Sequence, residues 1–315
     1  MPNWAYPYSG HRRRRSWDEG SGKRMRRWAV VIVAALAVLL VGCDKPRVVP
    51  IGDAPLRYRD EIFPQTAVTK NVQYGSAADQ FGQTQSLLLD VYAPVGDTVT
   101  ARPAIVWVHG GSFKSGDKSS SQIVTEATAF AKLGYVGASI NYRLYPSGCT
   151  TNYQLATCVQ EMTDAQHDAQ AAVRFLRANA ATYGVDPTRI AIKGVSAGAI
   201  TALHVGFNSD DPGTSGSPDF PSTVRAAVSV SGAKKLGTAN AGDAASLLLH
   251  GTLDTVVPYQ WAVDTYNEAT AAELTTYLTS FDGAGHAPYS DHGTEMFEQT
   301  RNFLYWEMDL PGAAH

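Results

Sequence analysis

The stretch Ile190-Ala191-Ile192-Lys193-Gly194-Val195-Ser196-Ala197-Gly198-Ala199-Ile200 constrains this chain more than any other. It reads as a short apolar strand, then Gly-x-Ser-x-Gly, then a helix from 199 to about 207. A serine placed so sits on a tight, strained elbow, and glycine is needed where the neighbouring backbones crowd the turn. The elbow lifts the hydroxyl above the sheet, where a base can reach it. An ordinary strand–loop–helix joint gives the same five residues, so the remaining chain must discriminate.

Around the elbow, strand and helix patterns alternate. Two strand-like runs, 68–74 and 86–92, flank a turn-rich stretch and predict an antiparallel hairpin at a sheet edge. The run Ala104-Ile105-Val106-Trp107-Val108 is apolar without alternation, as in a strand covered on both faces. A helix over 121–133 and a strand over 135–140 follow. Met162, Ala165, Ala169, Val173, Leu176, Ala180 and Tyr183 recur at steps of three and four, predicting one long helix over 160–183. Strands are expected at 225–230, 246–250 and 275–279, with helices over 259–272 and 294–309. This alternation implies a parallel sheet with helices on both faces. With 315 residues, 44% hydrophobic, and a pI near 6.2, one large α/β domain accounts for most of the chain.

A serine nucleophile needs a base, an acid to orient that base, and donors for the developing oxyanion. On this kind of elbow the acid and then the histidine come later in the chain. Asp254 lies in the loop after the 246–250 strand, and His286 in the glycine-bearing loop after the 275–279 strand. Both fall at the carboxyl edge, where α/β sheets place their chemistry. Asp254 as a helix-start residue and His286 as a surface histidine are the plain alternatives. Asp282 and His292 are the rival acid and base. His109 and His250 end strands upstream of Asp254 and are expected to brace loops by hydrogen bonds. In His109-Gly110-Gly111-Ser112-Phe113 the glycines let backbone N–H groups turn toward a substrate oxygen. Gly111, Ser112 and Ala197 are the expected donors. No nearby His or Cys set completes a metal site, and no cofactor is expected.

The N-terminus reads as an address. Residues 1–27 carry eight Lys/Arg against Asp18 and Glu19, a net +6, so a total of −3 leaves −9 for the remainder. An acidic remainder excludes nucleic acid as the expected partner. The apolar run 28–41 spans ~21 Å at about 1.5 Å per residue, short of a ~30 Å hydrocarbon core. It suits a secretion signal rather than a spanning helix. Its end, Leu40-Val41-Gly42-Cys43, resembles the lipobox of bacterial lipoproteins. That resemblance implies cleavage before a lipid-modified Cys43, a membrane anchor and an extracytoplasmic location; an uncleaved anchor is the alternative. We therefore expect a signal segment over 1–43, a proline-marked tether over 44–66 and the catalytic domain over 67–315. In an oxidising compartment Cys149 and Cys158 are expected to pair.

Taken together, these residues resemble the α/β-hydrolase superfamily, specifically the carboxylesterases and lipases that include the hormone-sensitive-lipase-like group. The resemblance covers about 66–310. It rests on Leu89-Asp90-Val91-Tyr92, His109 to Phe113, Asn141-Tyr142-Arg143-Leu144, the stretch 168–177, Gly194 to Ala199, Asp254 and Gly285-His286. It implies a mostly parallel sheet of about eight strands and ester hydrolysis through an acyl-serine. Ser196 is then the nucleophile, His286 the general base and acid, and Asp254 its orienter. The chain departs from the group in having Ser112 where a third glycine is usual and Val195 where an acid is frequent. Only about fifteen residues separate the strands ending near 230 and starting near 246, too few for a sizeable helical cap. An open site favours short-chain or polymer-linked esters, such as acetyl or feruloyl groups on cell-wall polysaccharide. A serine peptidase of the same fold, or a non-catalytic membrane-anchored protein, are the competing readings.

Overall fold

The computed structural model describes residues 45–149 and 152–310. The signal segment and Cys43 lie outside them. An eight-stranded sheet runs in the order β1-β2-β4-β3-β5-β6-β7-β8. Its strands are β1 (Thr66–Ala78), β2 (Thr84–Pro94), β3 (Arg102–Val108), β4 (Val136–Ile140), β5 (Val185–Val195), β6 (Ala226–Val230), β7 (Ala245–Gly251) and β8 (Thr276–Phe281). β1 and β2 form the expected edge hairpin, and β2 is antiparallel to β4. Every pairing from β4 through to β8 is parallel.

Helices α1 (Ser121–Lys132), α2 (Ala156–Ala178), the single turn α3 (Ala180–Tyr183), α4 (Ala197–Phe207), α5 (Tyr259–Ala271) and α6 (Tyr289–Glu307) complete the order. The central strands explain the two layers. Ala104, Val106 and Val108 of β3 enter the core beneath α2 and α4. Ile105 and Trp107, their alternates, enter the core beneath α1 and α6. A third cluster joins α4 and α5 to Leu248 and Leu278. Trp107 is wholly enclosed; truncating a side chain so placed to Ala typically costs about 3–5 kcal/mol.

Two helices differ from the sequence pattern. The single helix expected over 160–183 starts at Ala156 and breaks at Asn179, whose side chain donates to the Phe175 carbonyl. An asparagine can offer the backbone a local bond in place of the helix ladder, and Gly184 in the left-handed region ends the extra turn. The last helix starts at Tyr289, with Pro288 as its N-cap, rather than at 294.

The stretch read as a tether enters the described residues at Lys45 and holds no helix or strand before Thr66. It docks on the domain nevertheless. Val49 and Tyr58 are buried, and the Tyr58 amide donates to the Leu133 carbonyl at 2.9 Å.

Between β6 and β7, residues 231–244 form neither helix nor strand, so no cap is built there. This connection runs along α4. A Cβ on Gly232 would lie 2.4 Å from that of Ala199, the Lys235 and Leu236 amides donate to His204 Nε2, and the Ala244 amide donates to the Gly206 carbonyl. Among the described residues no helix is long and apolar enough to cross a membrane.

Candidate active site

Ser196 joins β5 to α4 with φ 56° and ψ −121°. A non-glycine residue held there stores about 1–3 kcal/mol of backbone strain. The flanking glycines are dictated by space. A Cβ on Gly194 would lie 2.0 Å from the Gly198 carbonyl oxygen, and one on Gly198 would lie 2.2 Å from that of Val108. The Ser196 amide is tied to the Val230 carbonyl of β6 at 2.9 Å. The elbow is therefore clamped by the ends of β3 and β6, and the serine hydroxyl stands clear of both.

His286 Nε2 lies 2.9 Å from Ser196 Oγ, and its Nδ1 lies 2.8 Å from Asp254 Oδ2. The carboxylate can only accept, so Nδ1 carries the proton and Nε2 is free to take the serine proton. The Asp254 carboxylate is fully enclosed. Its Oδ1 accepts the amides of Val256 and Val257 at 2.9 and 3.0 Å. Burial pushes its pKa up, but hydrogen bonds from His250, His286 and the Val257 amide outweigh that and hold the group well below the usual carboxylate range.

The brace expected of His250 is present: its Nε2–H donates to the Val257 carbonyl at 2.8 Å. Sequence reasoning missed that the same nitrogen lies 3.2 Å from Asp254 Oδ2. The four-residue interval across a strand end was the only available signal. It also missed Ser231, whose Oγ accepts the Ala287 amide and fixes the histidine loop. The rivals sit elsewhere: His292 stacks on Phe281, and Asp282 accepts from Thr252.

The turn after β3 packs against the elbow, where a Cβ on Gly110 would meet that of Ser196 at 3.2 Å. Gly111, Ser112 and Phe113 all have positive φ, at 116°, 54° and 60°. The left-handed φ at Ser112 is the physical reason a glycine would be at ease there. Among the described residues the amides of Gly111, Ser112 and Ala197 donate to no protein acceptor, which leaves all three to face a ligand. His109 supports the turn. Burial lowers its pKa, its Nδ1–H donates to the Gly110 carbonyl at 2.7 Å, and Tyr142 stacks on its ring.

Cys149 and Cys158 are joined in a disulfide. The Cys149 amide donates to the Ser112 carbonyl, and the Tyr145 amide to that of Phe113, so the β4–α2 connection is stitched to the glycine turn. Its root is fixed by Arg143, whose guanidinium forms a buried ion pair with Asp168 at 2.8 Å. A cavity of about 290 Å³ lies behind the glycine turn, lined by His109 and Tyr142, while others of 300–410 Å³ are lined by residues away from the triad. Leu253 and Val256, beside Asp254, are exposed apolar side chains.

A family model described as BD-FAE matches residues 89–242, just under half of the chain. That range takes in Ser196 and the glycine turn and stops short of Asp254 and His286. Phenmedipham hydrolase of Pseudarthrobacter oxydans is 36% identical over 126 residues, 40% of this chain and 24% of that protein. Chlorogenic acid esterase of Aspergillus niger is 29% identical over 130 residues, 39% and 25% of the two chains. The match thus spans about a quarter of the length of these curated relatives. Thermogutta terrifontis esterase 2 superposes with a TM-score of 0.63 at 24% identity, covering 80% of this chain and 97% of that one. A truncated carbohydrate esterase from gut microbiota gives 0.62 at 22%, covering 79% and 98%. The order of strands and these superpositions establish the α/β-hydrolase fold.

Proposed function

We propose that this chain of α/β-hydrolase fold is an exported serine carboxylesterase, held at the membrane through a lipidated Cys43. One observation carries the reading: Ser196, His286 and Asp254 form a continuous hydrogen-bonded relay at the carboxyl edge of the sheet. Ser196 Oγ attacks the ester carbonyl as His286 Nε2 takes its proton. The amides of Gly111, Ser112 and Ala197 receive the oxyanion, where each such donor is typically worth about 2.7–4 kcal/mol of transition-state stabilisation. His286 then gives the proton to the leaving alcohol, and the same steps with water release the acid. Asp254 keeps the imidazole in the required tautomer and offsets its transient charge. Relatives named chlorogenic acid esterase and phenmedipham hydrolase support acyl transfer. The short β6–β7 connection and the apolar rim at Leu253 and Val256 support short-chain or polymer-linked esters.

The test is turnover of p-nitrophenyl acetate together with labelling by paraoxon, a reagent that phosphorylates the solved esterase neighbour. Wild type is expected to hydrolyse the ester and to gain one diethylphosphoryl group on Ser196. Ser196→Ala should lose both, with a rate fall on the order of 10⁶. Equal turnover by the two proteins would remove Ser196 from the mechanism.

A further inference from the structure

Three side chains beside the triad have no part in the relay. Lys235 Nζ sits 3.5 Å above the centre of the Trp261 ring and 5.4 Å from that of Tyr153. Tyr153 meets Trp261 edge-on, with ring centres 5.1 Å apart. They come from three separate segments: Tyr153 from the β4–α2 connection, Trp261 from the first turn of α5, and Lys235 from the β6–β7 connection.

Their place relative to the reaction follows from what each segment touches. The β4–α2 connection starts bonded to Ser112 and Phe113 of the glycine turn. By Tyr153 it lies close enough to the Asp254 carboxylate that, after burial, this charge is what raises the phenol's pKa. Trp261 stands one helical turn past the loop that holds Asp254. Lys235 follows Ser231, which fixes the His286 loop. All three therefore come together on the side of the fold that carries Asp254.

Lys235 is also electrostatically unusual. Its neighbour Lys234 pairs with Glu268 at 3.0 Å, whereas among the described residues no carboxylate lies within ion-pair distance of Lys235. Asp264, one turn along α5, acts on it only at longer range. Partial burial between rings deprives the ammonium of water, and an ammonium short of solvation gains more from an anion than one at the open surface. The Tyr153 hydroxyl, which has no partner among the described residues, adds a donor beside it.

We propose that Lys235, Trp261 and Tyr153 form an anion subsite that selects esters bearing an ionised carboxylate close to the scissile bond. The proposal rests on the serine-esterase reading and gives it a substrate class. The ammonium binds the carboxylate, the indole holds the ammonium in place, and the phenol adds a hydrogen bond. The carboxylate belongs either to the acyl part or to the alcohol part of the substrate.

Paired substrates separate these sources. A monoaryl succinate against the matching aryl butyrate probes an acyl-side charge, and 4-acetoxybenzoate against phenyl acetate probes an alcohol-side charge. Wild type is expected to favour the charged member of one pair by about tenfold or more in kcat/KM. Lys235→Met should abolish most of that ratio through KM, while Lys235→Arg should keep it. An unchanged ratio in a folded Lys235→Met protein, or no charge preference in wild type, overturns the subsite. If Lys235→Met does not fold, competitive inhibition of wild type decides: 4-hydroxybenzoate against phenol, or succinate against butyrate, should show about tenfold tighter binding of the member with the extra carboxylate, and equal binding within both pairs overturns it. If wild type cleaves no ester at all, the esterase reading fails instead. Calorimetric binding of the monoaryl succinate, tight to wild type and weak to Lys235→Met, then judges the subsite separately.

Discussion

Asp254 uses its two carboxylate oxygens differently, and the difference defines its task. Oδ1 is saturated by the amides of Val256 and Val257, and Oδ2 faces His286 and His250. The first pair fixes the side chain, and the second pair holds the charge. Because its pKa is depressed, its stabilising contribution is present above the ordinary carboxylate range and is lost only as pH falls below it. An amide at this position could offer an N–H to His286 Nδ1 and would favour the wrong tautomer. Asp254→Asn should therefore lower kcat for p-nitrophenyl acetate on the order of 10⁴-fold, with the melting temperature recorded to separate chemistry from folding. A loss below tenfold would mean that Asp254 does not set the tautomer.

Among the elements, α4 does more than follow Ser196. His204, two turns along it, is wholly buried and accepts two amides of the β6–β7 connection through Nε2. Burial, reinforced by Lys234 and Lys235, pushes its pKa down to about 3. An unfolded histidine titrates near 6.5, so between these values the unfolded chain binds the extra proton. The contribution is thus complete above about 6.5 and declines as pH falls. From this group alone, unfolding free energy should drop by about 2 kcal/mol between pH 7 and pH 5. Urea titrations at both values test this. In His204→Gln, whose carbonyl oxygen can still accept the amides, the drop should shrink.

Which elements the sequence displays follows from physics. Doubly covered strands such as 104–108 show unbroken apolar runs, and the order Ser196, Asp254, His286 is linear information. The break at Asn179, the early start at Tyr289 and the contacts of His250, Ser231 and Lys235 depend on partners distant in the chain. No local pattern carries them.

At the scale of the whole molecule, one domain of α/β-hydrolase fold gathers Ser196, His286 and Asp254 at a single sheet edge. Residues 45–65 lie against α6 and the end of α1, with Trp306 donating to the Val48 carbonyl. Any anchor at Cys43 would therefore join the domain through a docked segment rather than a free leash. Cys43→Ser should move the protein from the membrane fraction to the soluble fraction when cells are fractionated. Unchanged partitioning would count against lipidation and favour an uncleaved apolar segment.

The bare run 231–244 has a consequence for motion. A connection of this length without regular structure usually frays within fractions of a second and surrenders its amide protons to solvent. Here the Lys234 amide is held by Thr265 of α5, and those of Lys235 and Leu236 by His204 of α4. Releasing them requires the connection to come away from both helices at once. In deuterium exchange these amides should be retained as long as those of α4 itself, so the stretch that looks least structured should be among the last to open.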